Sequence, residues 1–133
     1  MKRSLTILSA LLLSVCTLAQ KDFGSARFSS TVYDFGRVNT RDGAVSCSFA
    51  VTNTGEEPLN IFAVTTTCSC TNVSWTRKSI APGESGTIEV TYSNDEGPYP
   101  FDKALNVYLS CTDRPVILHV KGTAFTGKKK KSK

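Results

Sequence analysis

Three features of the sequence predict an all-β antiparallel sandwich. Apolar and polar residues alternate with period two in several short runs, and Gly, Pro, Asn and Asp punctuate those runs at regular intervals. No stretch after residue 20 carries the i, i+3, i+4, i+7 spacing of an amphipathic helix. The 133 residues, 40% of them hydrophobic and 20% charged, suffice for one ordinary domain and exclude a multidomain enzyme. Nine glycines and five prolines exclude collagen, and the missing heptads exclude a long coiled coil.

The elements follow in chain order. Thr31 to Val38 reads as a first strand, with Gly36 marking a bulge or a close backbone approach. Val45, Cys47, Phe49 and Val51 share one face of a second strand, which ends at the turn Asn53-Thr54-Gly55. There the expectation is a chain reversal using residues tolerant of positive φ. Phe62 and Val64 lead towards Cys68 and Cys70 on one parity. Ala81-Pro82-Gly83-Glu84 fits a type II turn, in which Pro presets φ and Gly accepts a positive one. Ile88, Val90 and Tyr92 then face inward, as do Leu105, Val107, Leu109 and Cys111. Val116, Leu118 and Val120 follow the turn at Asp113-Arg114-Pro115. About seven short strands in roughly 100 residues indicate an Ig-like antiparallel β-sandwich of seven to eight strands, with no helix longer than about two turns. The expected domain spans residues 24–126.

Both ends of the chain read differently from its middle. Lys2 and Arg3 precede the apolar run Leu5 to Leu13, and Thr17-Leu18-Ala19 places small residues before a cleavage point. Residues 1–19 therefore read as a secretory signal peptide with cleavage after Ala19. A transmembrane anchor needs about 20 apolar residues, and Gln20-Lys21-Asp22 interrupts too soon. A lipoprotein reading through Cys16 is disfavoured, because Val15 stands where a small residue is usual. The expectation is a periplasmic or secreted protein with no transmembrane segment after cleavage. Lys128, Lys129, Lys130, Lys131 and Lys133 hold five positive charges, so residues 20–127 keep nine bases against eleven acids. The formal net charge of +5 thus belongs to the ends. Residues 127–133 read as a disordered Lys-rich tail, suited at most to weak contact with an anionic surface. Export makes nucleic acid the least expected partner.

The run Tyr33-Asp34-Phe35-Gly36-Arg37-Val38, Asn53-Thr54-Gly55, Pro58-Leu59, Cys68-Ser69-Cys70-Thr71, Ile80-Ala81-Pro82-Gly83-Glu84-Ser85-Gly86 and Val120-Lys121-Gly122 resembles the bacterial domain-of-unknown-function 1573 family. That family is similar to Hydin-type and pilus-chaperone-type Ig-like domains. Where its members usually carry Cys-Gly-Cys, this chain has Cys68-Ser69-Cys70. The resemblance implies an Ig-like fold and export, and it implies no activity.

Candidate chemistry rests on the cysteines. With Cys16 in the signal segment, Cys47, Cys68, Cys70 and Cys111 remain. Export favours disulfides, and in an Ig strand order Cys47 falls at the same end of the sandwich as Cys68 and Cys70, with Cys111 at the other. The expected bridge joins Cys47 to Cys68 or Cys70. Residues two apart on an extended strand lie about 6.6 Å from each other with parallel side chains, so a Cys68–Cys70 link needs a turn. Fully reduced buried thiols are the second reading. As a third, Cys68 and Cys70, with Cys47 as a further ligand, suit Cu(I) or Zn(II).

Catalytic alternatives find little support, and no catalytic or cofactor-binding residues are assigned. The only histidine, His119, sits in the last strand with its side chain expected towards solvent, and no Gly-x-Ser-x-Gly elbow occurs. Glu56-Glu57 and Asp95-Glu96 read as exposed turn acids, and Trp75, Tyr99 and Phe101 as packing residues. The expected function is a non-enzymatic, exported binding or assembly module of the bacterial envelope, contacting another envelope or secreted protein through an open sheet edge. The alternative is a Cys-x-Cys metal-binding periplasmic protein.

Overall fold

The computed structural model describes residues 20–128. Residues 1–19, the expected signal peptide, and most of the Lys-rich tail lie outside that range. Among the described residues nine strands form: β1 (Lys21–Phe23), β2 (Ala26–Phe28), β3 (Val32–Asn39), β4 (Val45–Asn53), β5 (Ile61–Thr66), β6 (Thr71–Trp75), β7 (Ser85–Tyr92), β8 (Pro100–Leu109) and β9 (Val116–Phe125). They make a five-stranded sheet, β1-β2-β4-β7-β6, and a four-stranded sheet, β3-β9-β8-β5. The helical content among the described residues is one 3₁₀ turn, Thr40–Asp42. No helix among them is long and apolar enough to cross a membrane.

The count exceeds the expected seven to eight because three short strands lack a readable alternation. β1 and β2 pair as a three-residue hairpin that opens the five-stranded sheet, so the paired region begins at Lys21, ahead of the expected start at 24. β6 is read from its pairing with β7, from Thr71↔Tyr92 to Trp75↔Ile88.

Alternation decides which side chains meet between the sheets. Cys47, Phe49 and Val51 from β4 and Ile88 and Val90 from β7 face Leu105, Val107 and Leu109 from β8 and Val116, Leu118 and Val120 from β9. Fully burying each large aliphatic or aromatic side chain contributes about 1.5–3 kcal/mol, so this interleaved layer is the main source of stability. A second, smaller cluster of Cys70, Tyr92, Phe101 and Ala124 sits beside it, with Cys68, Phe35, Val38 and Val45 packed against it. Tyr92 of β7 stacks on Phe101 of β8, with centroids 4.0 Å apart and planes 18° from parallel, and so joins the two sheets.

Two local expectations meet a correction. The β5–β8 register shifts between Ile61 and Ala63, so Ile61 and Val64 are buried while Phe62 turns outward. The parity linking Phe62 to the cysteines therefore breaks at this bulge. Asn53 and Gly55 do not adopt positive φ. Asn53 instead buries its amide, donating to the carbonyls of Glu57 and Ile80, while its Oδ1 accepts from Gly55 N. Elsewhere the local chemistry acts as read: Gly83 has φ 79° in a turn closed by Glu84 N to Ala81 O at 2.9 Å, and Gly36 has φ 69° where β3 slips against β9.

Candidate functional site

Cys68 and Cys70 lie in the connection between β5 and β6, where the chain passes from one sheet to the other. Their Cα atoms are 5.1 Å apart and their sulfurs are bonded. A turn brings them together, as a link across one residue requires. Thr71 closes this turn by donating from both N and Oγ1 to Cys68 O, and its hydroxyl also meets Thr66 Oγ1 at 2.8 Å. Ser69 needs no left-handed backbone here, since Asn94 is the one non-glycine with positive φ among the described residues. A serine thus fits where the family usually carries glycine.

This arrangement corrects the expected bridge from Cys47 to Cys68 or Cys70. Cys47 is a separate buried thiol, as Cys111 is a separate half-buried one. The reason is topological. β7 lies between β4 and β6, so Cys47 and the start of β6 are two strand spacings apart, roughly 9–10 Å, against a bridging limit of about 6.8 Å. Cys47 pairs with Val90 and faces the main core, while Cys70 belongs to the Tyr92–Phe101 cluster. Burial pushes the Cys47 thiol up from 9.0 to about 11, which keeps it protonated and unreactive. Cys111 sits by β1 and approaches Phe23 O at 3.6 Å.

What joins Cys68 and Cys70 is Glu96, an acid the sequence presents only as part of a turn. One ligand atom from each of the three residues lies within 4.8 Å of the other two. Tyr92 Oη donates to Glu96 Oε1 at 2.9 Å, and Lys103 Nζ pairs with the same oxygen at 2.8 Å. Lys103, followed by the Tyr92 hydroxyl, holds the Glu96 carboxyl below its ordinary value of 4.5. Burial, aided by Glu96, raises the Tyr92 hydroxyl to about 12. Local spacing carried a trace of this, since Tyr92 and Glu96 are four residues apart; Lys103 reaches them only because β8 begins beneath β7. A second structured element holds the same loop: Asn94, buried with φ 58°, donates to the carbonyls of Asn39 and Gly43.

The remaining candidates disperse. His119 Nδ1 meets Asp102 at 2.8 Å on the outer side of the four-stranded sheet. Glu56 and Glu57 are exposed. Phe101 is buried, Tyr99 exposed, and the Trp75 ring lies under the Arg77 guanidinium at 3.7 Å.

The outer face of the four-stranded sheet is the other feature that the linear pattern hid. Phe62 is 66% exposed and Ile117 52% exposed, with Tyr108 and Val32 also open. Register lines them up: Tyr108 is opposite Ala63, beside Phe62; Ile117 is opposite Asn106; Val32 is beside His119. Each of the four strands therefore places one exposed apolar side chain on this face, with Asn106 and His119 among them.

Two packed antiparallel-rich sheets, with the first long strand entering parallel to the last, define an Ig-like β-sandwich. The chain belongs to the family described as protein of unknown function (DUF1573), whose profile matches residues 26–124. Among curated proteins none matches. The fold is similar to that of a protein of unknown function from Porphyromonas gingivalis W83, with TM-score 0.66 and 20% identity over 84% of this chain and 51% of that one. It is also similar to the ASH / PapD-like domain of human CEP192, with TM-score 0.65 and 7% identity over 79% of this chain and 88% of that one. The VesB protease of Vibrio cholerae aligns at TM-score 0.60 and 20% identity, over 77% of this chain and 32% of that one. The chain thus spans about half of the Porphyromonas protein and a third of the protease, and at these identities the likeness is one of fold alone.

Proposed function

We propose that this protein is an exported, non-enzymatic module that binds another envelope or secreted protein across the outer face of its four-stranded sheet, at the β5 edge. The observation carrying this reading is the set of Phe62, Tyr108, Ile117 and Val32, large apolar side chains held outward on a rigid sheet. Exposed apolar side chains gathered on one face mark interaction sites, and aromatic anchors dominate binding energy where they become desolvated. β5 pairs on one side only, so a partner strand added there would lie against Phe62. Export rests on residues 1–19 of the sequence, and the lone histidine is committed to Asp102 rather than to a nucleophile.

The test is a photo-crosslinking residue placed at Phe62 or at Ile117, with Glu89 on the opposite sheet as the control position. In the native envelope, a discrete adduct from Phe62 and Ile117 but not from Glu89 supports the reading. Equal labelling at all three positions, or none at Phe62, overturns it.

A further inference from the structure

The cluster at the β5–β6 connection is chemically distinct from the exposed apolar side chains and owes nothing to the binding reading. We propose that Cys68, Cys70 and Glu96 form a zinc(II) site that opens when the Cys68–Cys70 disulfide is reduced. The three ligand atoms already lie within 4.8 Å of one another. Around a tetrahedral zinc with Zn–S near 2.3 Å and Zn–O near 2.1 Å, thiolates sit ~3.8 Å apart and a thiolate and a carboxylate oxygen ~3.6 Å apart. Side-chain adjustments on the order of 1 Å thus complete the site without refolding. The redox step balances: the disulfide takes two electrons and two protons from a dithiol, which leaves as its own disulfide. Zinc then displaces both thiol protons as two Zn–S bonds form.

Charge selects the ion. Two thiolates and Glu96 carry three negative charges; zinc(II) and the Lys103 ammonium, 2.8 Å from Glu96, carry three positive ones. Cu(I) in the same place leaves one negative charge uncompensated beside the buried Cys70, which is costly. The supporting groups are already in place. Tyr92 and Lys103 both engage Glu96 Oε1, leaving Oε2 for the ion, and Cys70 N donates to Cys68 Sγ at 3.2 Å. Cys47, the ligand suggested by sequence, is replaced by Glu96 because β7 separates it from the pair. Three protein ligands leave a fourth position for water or for a donor from a partner.

The experiment is zinc titration of the purified protein, with and without prior reduction by a phosphine, read by competition against a chromophoric chelator and by cobalt(II) substitution. The reduced protein should bind one zinc and give a thiolate-to-cobalt charge-transfer band, whereas the oxidised protein, with the same fold, should bind none. Glu96→Gln should weaken zinc at least tenfold, a Cys68→Ser, Cys70→Ser variant should lose it, and Cys47→Ser should keep it. The oxidised wild type guards against a double variant that does not fold. No zinc on the reduced protein, undiminished affinity in Glu96→Gln, or loss in Cys47→Ser overturns the site.

Discussion

Asn53 Nδ2 donates to Ile80 O at 2.9 Å, in a place where Asn53 has no solvent exposure at all. Ile80 also exchanges backbone hydrogen bonds with Leu59, so the end of β4 and the segments before β5 and β7 close on one buried amide. An amide suits this place because it alone offers two donors to carbonyls and one acceptor to an N–H.

Replacing Asn53 by Ala should therefore cost about 2–3 kcal/mol, since Glu57 O and Gly55 N lose this partner while Ile80 O keeps only its bond from Leu59 N. Asn53→Asp, nearly the same shape, should cost more, because it turns a carboxylate oxygen towards the carbonyls of Glu57 and Ile80. Urea denaturation orders the three proteins; an Asp variant as stable as wild type would refute the assignment.

Gly55 approaches the chain so closely that an added Cβ would lie 2.7 Å from Ser25 Cβ. Neither atom is the tip of a flexible side chain. Gly55→Ala should destabilise by about 1–3 kcal/mol, through displacement of the β1–β2 hairpin from β4. Combining it with Ser25→Gly should recover part of the loss, and an unchanged melting temperature in Gly55→Ala would contradict this packing.

Stability should fall in alkali through two named groups. The folded state raises Tyr92 from 10.0 to about 12 and Cys47 from 9.0 to about 11, favouring the neutral form of each. Each contribution is complete below the unfolded value and lost as pH climbs through the folded one, so the decline spans pH 9 to 12. Tyr92→Phe should flatten the upper part and Cys47→Ala the lower, in denaturation midpoints measured across that range. A slope unchanged in both variants would assign the decline elsewhere.

Peptide mapping under non-reducing conditions should recover Cys68 linked to Cys70, with Cys47 and Cys111 as thiols. Cys111, half-buried at the edge of the core, should alkylate in the native protein before Cys47 does. Because so short a loop is closed, reduction should lower stability by only about 1–2 kcal/mol in the chain-entropy model. A Cys47 peptide linked to either residue would reverse the correction made above.

The sequence by itself determined the fold class and the inward faces of β4, β7, β8 and β9. Successive side chains on a strand point to opposite sides, so Phe49 and Val51, or Leu118 and Val120, declare their burial without reference to anything distant. The turn at Pro82-Gly83 is legible for the same reason, its φ values being set within the residues themselves. Tertiary structure decided everything that depends on which strand lies beside which. β7 enters between β4 and β6 and separates Cys47 from Cys70; a one-residue bulge sends Phe62 outward; and the start of β8 brings Lys103 to Glu96. Such neighbours are set by pairing across long stretches of chain, where the energy lies in burial and hydrogen bonding between segments. Local spacing holds no record of them.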